Sequence, residues 1–348
     1  MTDALVECVP NFSEGRRPEV VEEIVAAFAG ADPGVLVLDR SSDPDHHRTV
    51  LTLAGPGPAL VEAAVAGARA CARLIDLNRH RGAHPRMGAL DVLPFVPLGA
   101  ATRLRGAADP DLDCAALAER AGRRVAAEAG VPVYLYGAAA RRPERAALPA
   151  VRGRGFEALR SAVARDGAGS PGDHPGGSPD PSDMAPDLGG PGLHPTAGAT
   201  AVGAREVLVA YNVELAGADL ELATAIAAAV RERDGGLPAV RAMGVALEER
   251  GLVQVSMNLL DYRVTPPAAA FAAVAALAER AGAAAVASEI VGLAPAAALA
   301  GDPTDLRLRG PVTDLLLETR LLRAGNAAGA AAGDDRAAPP APPTKERR

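Results

Sequence analysis

Between Gly167 and Pro186 the chain reads GAGSPGDHPGGSPDPSDMAP, almost nothing but Gly, Ser, Pro and Asp. Such a segment has too little apolar surface to order itself, so it is expected to be a mobile surface insertion between two separately cored parts. The residues on either side repeat one pattern. Ahead of the insertion, Ala4–Val9 reads as a strand. Val20, Val21, Ile24, Val25 and Phe28 follow at helical spacing behind Pro18. Val35–Leu38 and Thr49–Leu53 are strand candidates split by the polar SSDPDHHR, and Leu60, Val61, Ala64, Val65, Ala68, Ala72 and Ile75 form a second helical stripe. Asp91–Leu98 is a further strand, which Pro94 and Pro97 confine to an edge or a bulge. Leu112–Glu128 and Pro132–Tyr136 add a helix and a strand. After the insertion the order restarts: strand Val207–Val213, helix Leu220–Arg231, strands Val240–Leu247 and Leu252–Leu259, helix Ala268–Ala281, strand Ala285–Ile290. The expected fold class is α/β (α+β), with two tandem ferredoxin-like βαββαβ subdomains. The expected boundaries are 1–165, an insertion at 166–186, a glycine-rich loop at 187–205, a second subdomain at 206–323 and a disordered tail at 324–348.

Composition narrows the function classes rather than choosing one. Aromatic residues are 3% of the 348 and Trp is absent, so the cores must be built from Ala, Val and Leu. A net charge of −7 argues against sequence-independent nucleic-acid binding, which needs a basic face. Cys8, Cys71 and Cys114 are odd in number and in no CxxC spacing, which indicates neither a disulfide framework nor a zinc ribbon and fits a reducing cytosol. The first residues carry no basic and apolar leader pattern, and no apolar stretch is long enough for a membrane span. The expectation is a soluble cytoplasmic protein without nucleic-acid or membrane partners.

The chemistry concentrates in two polar loops, DPDHHR and NRHRGAHPRMG, which hold His46, His47, His80 and His84. A metal site needs about three ligands in defined geometry, and Gly82 and Pro85 argue against the helix that would pair His80 with His84. An anion site is favoured, in which guanidinium groups hold carboxylates while an imidazole moves protons. A solvated basic loop without a task is the plain alternative. The stretch DLGGPGLHPTAGATAVGAR, Asp187 to Arg205, is rich enough in glycine to bring backbone N–H groups close to a flat or anionic ligand, yet it matches neither nucleotide-binding glycine motif. Cys8 alternates with Glu7 in the first strand, without an adjacent base, and reads as a small buried hydrophobe. No GxSxG elbow occurs, so acyl-enzyme chemistry is not indicated.

Five segments together, LVECVPNFSEGRR from Leu5, GAHPRMGALDVLPFVPL from Gly82, GVPVYLYG from Gly130, GATAVGAR from Gly198 and QVSMNLLDY from Gln254, resemble the glutamate formiminotransferase family. That family also occurs as the N-terminal domain of formiminotransferase-cyclodeaminase. The resemblance runs from residue 5 to about 300, in order, leaving out the insertion and the tail. It implies a homodimer and a tetrahydrofolate site in the groove between two ferredoxin-like subdomains, with no metal. It implies transfer of the formimino group from N-formimino-L-glutamate to N5 of tetrahydrofolate during histidine breakdown. The catalytic histidine of its HPRMG motif is His84. Its folate-contacting loop falls on Gly189, Gly190, Pro191, Gly192, Leu193, His194, Pro195, Thr196, Ala197 and Gly198. Arg48 and Arg86 are the candidates, by charge and loop position, for holding carboxylates of formiminoglutamate or the folate tail. Three departures stand out: Ala83 where the family commonly has Glu, His47 where bacterial members have Asn, and Ser41 where vertebrate members are acidic. Formyl transfer from N-formylglutamate and folate binding without catalysis are the competing readings, with a metal-dependent formiminoglutamate hydrolase as a weaker third.

Overall fold

The computed structural model describes residues 5–99, 112–152, 155–166, 185–190, 192–248, 250–300 and 303–334. Most of the Gly/Pro-rich insertion and Pro191 lie outside them. The first half contains β1 (Leu5–Cys8), β2 (Asn11–Phe12), α1 (Pro18–Ala29), β3 (Leu36–Asp43), β4 (Arg48–Pro56), α2 (Gly57–Leu74), β5 (Leu90–Pro97), α3 (Cys114–Ala129), β6 (Val133–Gly137), α4 (Leu148–Arg152), α5 (Gly155–Asp166) and β7 (Thr200–Ala204). The second contains β8 (Val209–Ala216), α6 (Leu220–Val230), β9 (Val240–Leu247), β10 (Leu252–Leu259), α7 (Pro267–Arg280) and β11 (Ala284–Val291), followed by α8 (Val312–Leu315) and α9 (Leu317–Asp334).

The second sheet runs β11-β8-β10-β9, all antiparallel, which is the ferredoxin-like order. The first sheet repeats that order as β5, β1–β2, β4, β3 and is extended beyond β5 by the parallel strands β7 and β6. The expected α+β class and tandem arrangement are therefore observed. Helices α1, α2 and α3 pack on one face of the first sheet, whereas Val151 of α4 and Leu159 of α5 pack with Tyr134 and Tyr136 on its opposite face; α6 and α7 cover the second sheet. In α1, Pro18 occupies the first turn, where its missing N–H is tolerated, and Val21, Ile24 and Phe28 turn inward. Ile24 and Phe28 are fully buried, and each stabilises the fold by about 1.5–3 kcal/mol. In α3, Asp113 caps the first turn by accepting from Ala116 N–H at 2.9 Å, and Gly130 ends the helix at φ 66.

Four expectations change. β5 is central rather than an edge strand, with β1 and β2 on one side and β7 on the other. Pro94 is tolerated because it lies opposite Val9–Pro10, the break between β1 and β2, where no ladder donor is required; its carbonyl accepts from Val9 N–H at 3.2 Å. SSDPDHHR is not a long loop: β3 continues through Ser41–Asp43 and closes on β4 by a tight turn. The tail expected to be disordered from Ala324 is helical as far as Asp334, because Leu317 and Leu321 of α9 bury against Leu38 of β3. Residues 335–348 lie outside the described residues. Thr200–Ala204, expected within a loop, are a strand of the first sheet.

Candidate active site

The loop after α2 is built by its own polar groups. His47 adopts a left-handed φ of 49, its Nδ1–H donates to Arg81 O at 2.8 Å, and its ring stacks on His80 at 4.1 Å between centroids. His80 Nε2–H donates to His47 O at 2.9 Å, and Ala83 N–H donates to Asp45 O at 3.0 Å. Gly82 is required at this crossing, because a Cβ there would lie 2.5 Å from His46 O. Burial pushes the His80 imidazole down to about 4, so it stays neutral as a structural link. Glu14, buried beneath the turn, would be raised by desolvation. Hydrogen bonds from His47 and from the backbone N–H groups of Arg16 and Arg17 outweigh this and hold it well below the ordinary carboxylate range.

His84 stands apart from this scaffold. Its Nδ1–H donates to Pro85 O at 2.7 Å, which fixes the tautomer and leaves Nε2 with the lone pair. Desolvation, then the charges of Arg48 and Arg152, hold this imidazole well below its usual pKa, so the free enzyme carries it as a neutral base. The two guanidinium groups are themselves fixed. Asp91, fully buried in β5, pairs with Arg48 at 2.7 Å and with Arg152 at 3.3 Å and accepts from Met87 N–H at 2.8 Å. Burial alone would raise Asp91; the two arginines reverse that and keep it ionised. One carboxylate against two guanidiniums leaves a net positive charge beside His84, suited to an anionic ligand. His46 lies 5.9 Å from His84 between ring centroids, and its Nε2 accepts from Gln254 Nε2–H at 2.9 Å.

These groups open into a cavity of about 390 Å³ between the two sheets. The first sheet contributes Glu7, Asn11, Arg48 and Thr52; the second contributes Asn212, Ser256, Asn258 and Glu289. The halves are tied beside it by Arg250, which bonds Glu214 of β8 at 3.0 Å and Asp43 of β3 at 3.4 Å. Among the described residues no three His, Cys, Asp or Glu side chains gather into a group able to hold a metal ion.

Of the residues picked out in the sequence, His84 and Arg48 line the cavity, and Arg86 does not. Its guanidinium is taken up by Glu157 at 2.7 Å and His80 O at 3.2 Å, so it anchors the loop to α5. The glycine-rich stretch lies elsewhere too: Gly189, Gly190, Gly192, Leu193, His194, Pro195, Thr196, Ala197 and Gly198 are not among the lining residues. Its tip folds on itself through the Ala197 N–H bond to His194 Nδ1 at 3.0 Å, and Gly198, at φ 69, meets Met87 O where a Cβ would be 2.2 Å away. The glycine serves close backbone packing against the start of β5. Asp91, Arg152, Gln254 and Glu7 carry no expectation of a site role, and His46 only as one of the four clustered loop histidines. Arg152 and Asp91 carried no local signal, one on a short helix and the other inside an apolar run.

A family model described as the formiminotransferase domain, N-terminal subdomain, matches residues 5–205, and one described as the formiminotransferase domain matches residues 210–302. The chain is 41% identical over 327 residues to a glutamate formimidoyltransferase of Thermoplasma acidophilum, covering 93% of this chain and 99% of that protein. It is 39% identical over 295 residues to a glutamate formimidoyltransferase of Streptococcus pyogenes, covering 85% and 90%. Against the formimidoyltransferase-cyclodeaminase of Sus scrofa the identity is 42% over 301 residues, 85% of this chain but 51% of that longer protein. The pairing of two ferredoxin-like sheets around a neutral, arginine-flanked histidine is thus that of a transferase, and the chain belongs to the formiminotransferase family.

Proposed function

We propose that the protein transfers the formimino group from N-formimino-L-glutamate to N5 of tetrahydrofolate, releasing L-glutamate and 5-formiminotetrahydrofolate. The observation that carries this reading is His84, held neutral with Nε2 unprotonated at the edge of the cavity between the sheets. N5 attacks the formimino carbon, and Nε2 of His84 takes the N5 proton. The glutamate nitrogen of the tetrahedral intermediate then needs a proton to leave as an amine. The imidazolium, destabilised by Arg48 and Arg152, is a good donor, so one group serves both steps and ends neutral again. The net positive charge of Arg48, Arg152 and Asp91 holds a substrate carboxylate. A cavity of about 390 Å³ suits ligands of this class, and the pterin ring belongs in it rather than against the glycine-rich stretch. The family resemblance adds a homodimer, a cytoplasmic setting and a place in histidine breakdown.

The test is a coupled assay with tetrahydrofolate and either formiminoglutamate or formylglutamate, with and without chelator. Wild-type protein turns over the formimino donor, indifferent to chelator, and His84→Gln loses a factor of roughly 10²–10⁴ in kcat. Undiminished turnover by His84→Gln removes the shuttle. Preference for the formyl donor, or tight tetrahydrofolate binding with neither donor consumed, replaces the reading with one of its competitors.

A further inference from the structure

We infer that Glu7 reads the far edge of the pterin, accepting hydrogen bonds from its 2-amino group and adjacent ring N–H; this rests on the proposed function and names the contact that selects the acceptor. Glu7 sits in the middle of β1, with β4 paired on one side and β5 on the other, and is 5% exposed. Its side chain nevertheless lines the cavity. Among the described residues no hydrogen-bond donor and no ion-pair partner reaches its carboxylate. A carboxylate placed so deep without donors is costly, and the groups that would relieve it must come from a ligand. A second polar atom nearby also lacks a partner: Thr52 Oγ1, on the neighbouring strand and in a residue lining the same cavity, is buried without one. Arg205 is the cation close enough to act on Glu7; even so, burial pushes the carboxyl up to about 7.

Position decides which part of the substrates Glu7 meets. Asn11, which accepts from Arg48 at 3.0 Å, marks the His84 end of the cavity. Glu7 is four residues earlier along the same extended path, about 13 Å away at the rise of a strand. The formimino carbon and N5 must both lie within hydrogen-bond reach of His84, so the cationic amidine cannot also reach Glu7. A fused two-ring heterocycle with a hydrogen bond of about 2.9 Å at either end bridges such a gap. The 2-amino-4-oxo edge of a pterin offers two parallel N–H donors, which match the two oxygens of a carboxylate. Its 4-oxo group beside them is an acceptor for Arg205. Glu7 must be ionised to accept both bonds, so below about pH 7 binding releases a proton.

Calorimetry with tetrahydrofolate and with its 2-desamino-2-methyl analogue tests this on full-length protein. The wild type is expected to bind the analogue at least tenfold more weakly and to release protons near pH 6.5 in buffers of different ionisation enthalpy. Glu7→Gln is expected to weaken tetrahydrofolate binding tenfold or more, to raise the KM for formiminoglutamate less than twofold, and to lose the preference between the two pterins. Equal binding of both pterins by the wild type overturns the inference, even where the variant fails to fold. A folded Glu7→Gln that keeps the full preference overturns it as well. Wild-type protein that binds no tetrahydrofolate removes the proposed function itself, whereas loss of the Glu7 contact alone leaves formimino transfer standing.

Discussion

Both halves of the molecule run through the same ferredoxin-like strand order, yet they present different chemistry to the cleft between them. The first half brings Glu7, Arg48, Arg152, His46 and His84 to its wall, while the second sets Asn212, Ser256, Asn258, Arg241 and Glu289 among apolar side chains such as Leu208, Met257 and Leu260. Every histidine of the chain lies before Arg205. The first wall needs a buried counterion, Asp91, to hold its guanidiniums; the second orients His46 across the cleft by the hydrogen bond from Gln254. One topology thus separates the proposed proton chemistry from positioning by placing them on opposite sheets.

The largest break in that comparison is Asp91→Asn. Removing the one carboxylate that faces Arg48 and Arg152 leaves two guanidiniums close together with a neutral amide, and a broken buried pair of this kind costs about 3–5 kcal/mol. Urea unfolding followed by circular dichroism should show that loss, with turnover falling alongside it. A variant as stable and active as the wild type means that Asp91 does not organise the charged wall.

Acid should sharpen the contrast next. His80 titrates near 4 in the folded protein against a usual value of 6.5, so its unfolded form takes up the proton first as pH falls. The stability involved is complete above pH 6.5 and is lost progressively down to 4, about 3 kcal/mol in all. The lowered pKa values of His46 and His84 act in the same direction. Hydrogen exchange at pH 5 is expected to accelerate in the first half before the second, and His80→Gln to flatten the decline. Uniform acceleration across both halves contradicts the assignment.

A smaller effect tests the second wall. Gln254 is fully buried, donates to His46, and leaves its own Oε1 without a partner. Gln254→Leu removes an unsatisfied oxygen as well as a hydrogen bond, so stability should change by no more than about 1 kcal/mol. His46 loses the donor that orients its ring toward His84, and kcat should fall several-fold. A melting temperature and a kcat measured on the same preparation decide it: unchanged turnover means the second sheet does not position His46.

The same contrast explains how far the residues could be read unaided. Strand alternation and helical stripes are local, and they located both βαββαβ units. Pro94 and Pro97 read from the sequence as an edge strand or a bulge, because the gap at Val9–Pro10 that accommodates Pro94 is a tertiary fact. His84 and Arg48 sit in compact motifs and were legible. Glu7, Asn212, Gln254 and Glu289 were not, because a polar residue alternating with apolar ones in a strand looks the same whether it faces water or a second sheet. Arg86 has the motif position and Arg152 does not, yet the packing of α4 and α5 sends the first to Glu157 and the second to Asp91 beside His84.

The smallest expected change concerns Ala83, exposed at the lip of the charged wall, next to His84. Ala83→Glu adds a carboxylate that opposes Arg48 and Arg152, so it should raise the pKa of His84 from its depressed position. In the proposed mechanism His84 must be neutral in the free enzyme to accept the N5 proton, so the acid limb of kcat/KM against pH is expected to move upward. An exposed charge is strongly screened, so kcat at neutral pH should stay within about threefold of wild type. Salt separates this from a rearranged loop: an electrostatic shift shrinks as ionic strength rises toward 1 M, where screening acts over about 3 Å, whereas a steric effect persists. An acid limb that does not move at low salt would show that His84 is tuned by its own burial rather than by the charges around it, and the charged wall would then be a ligand clamp only.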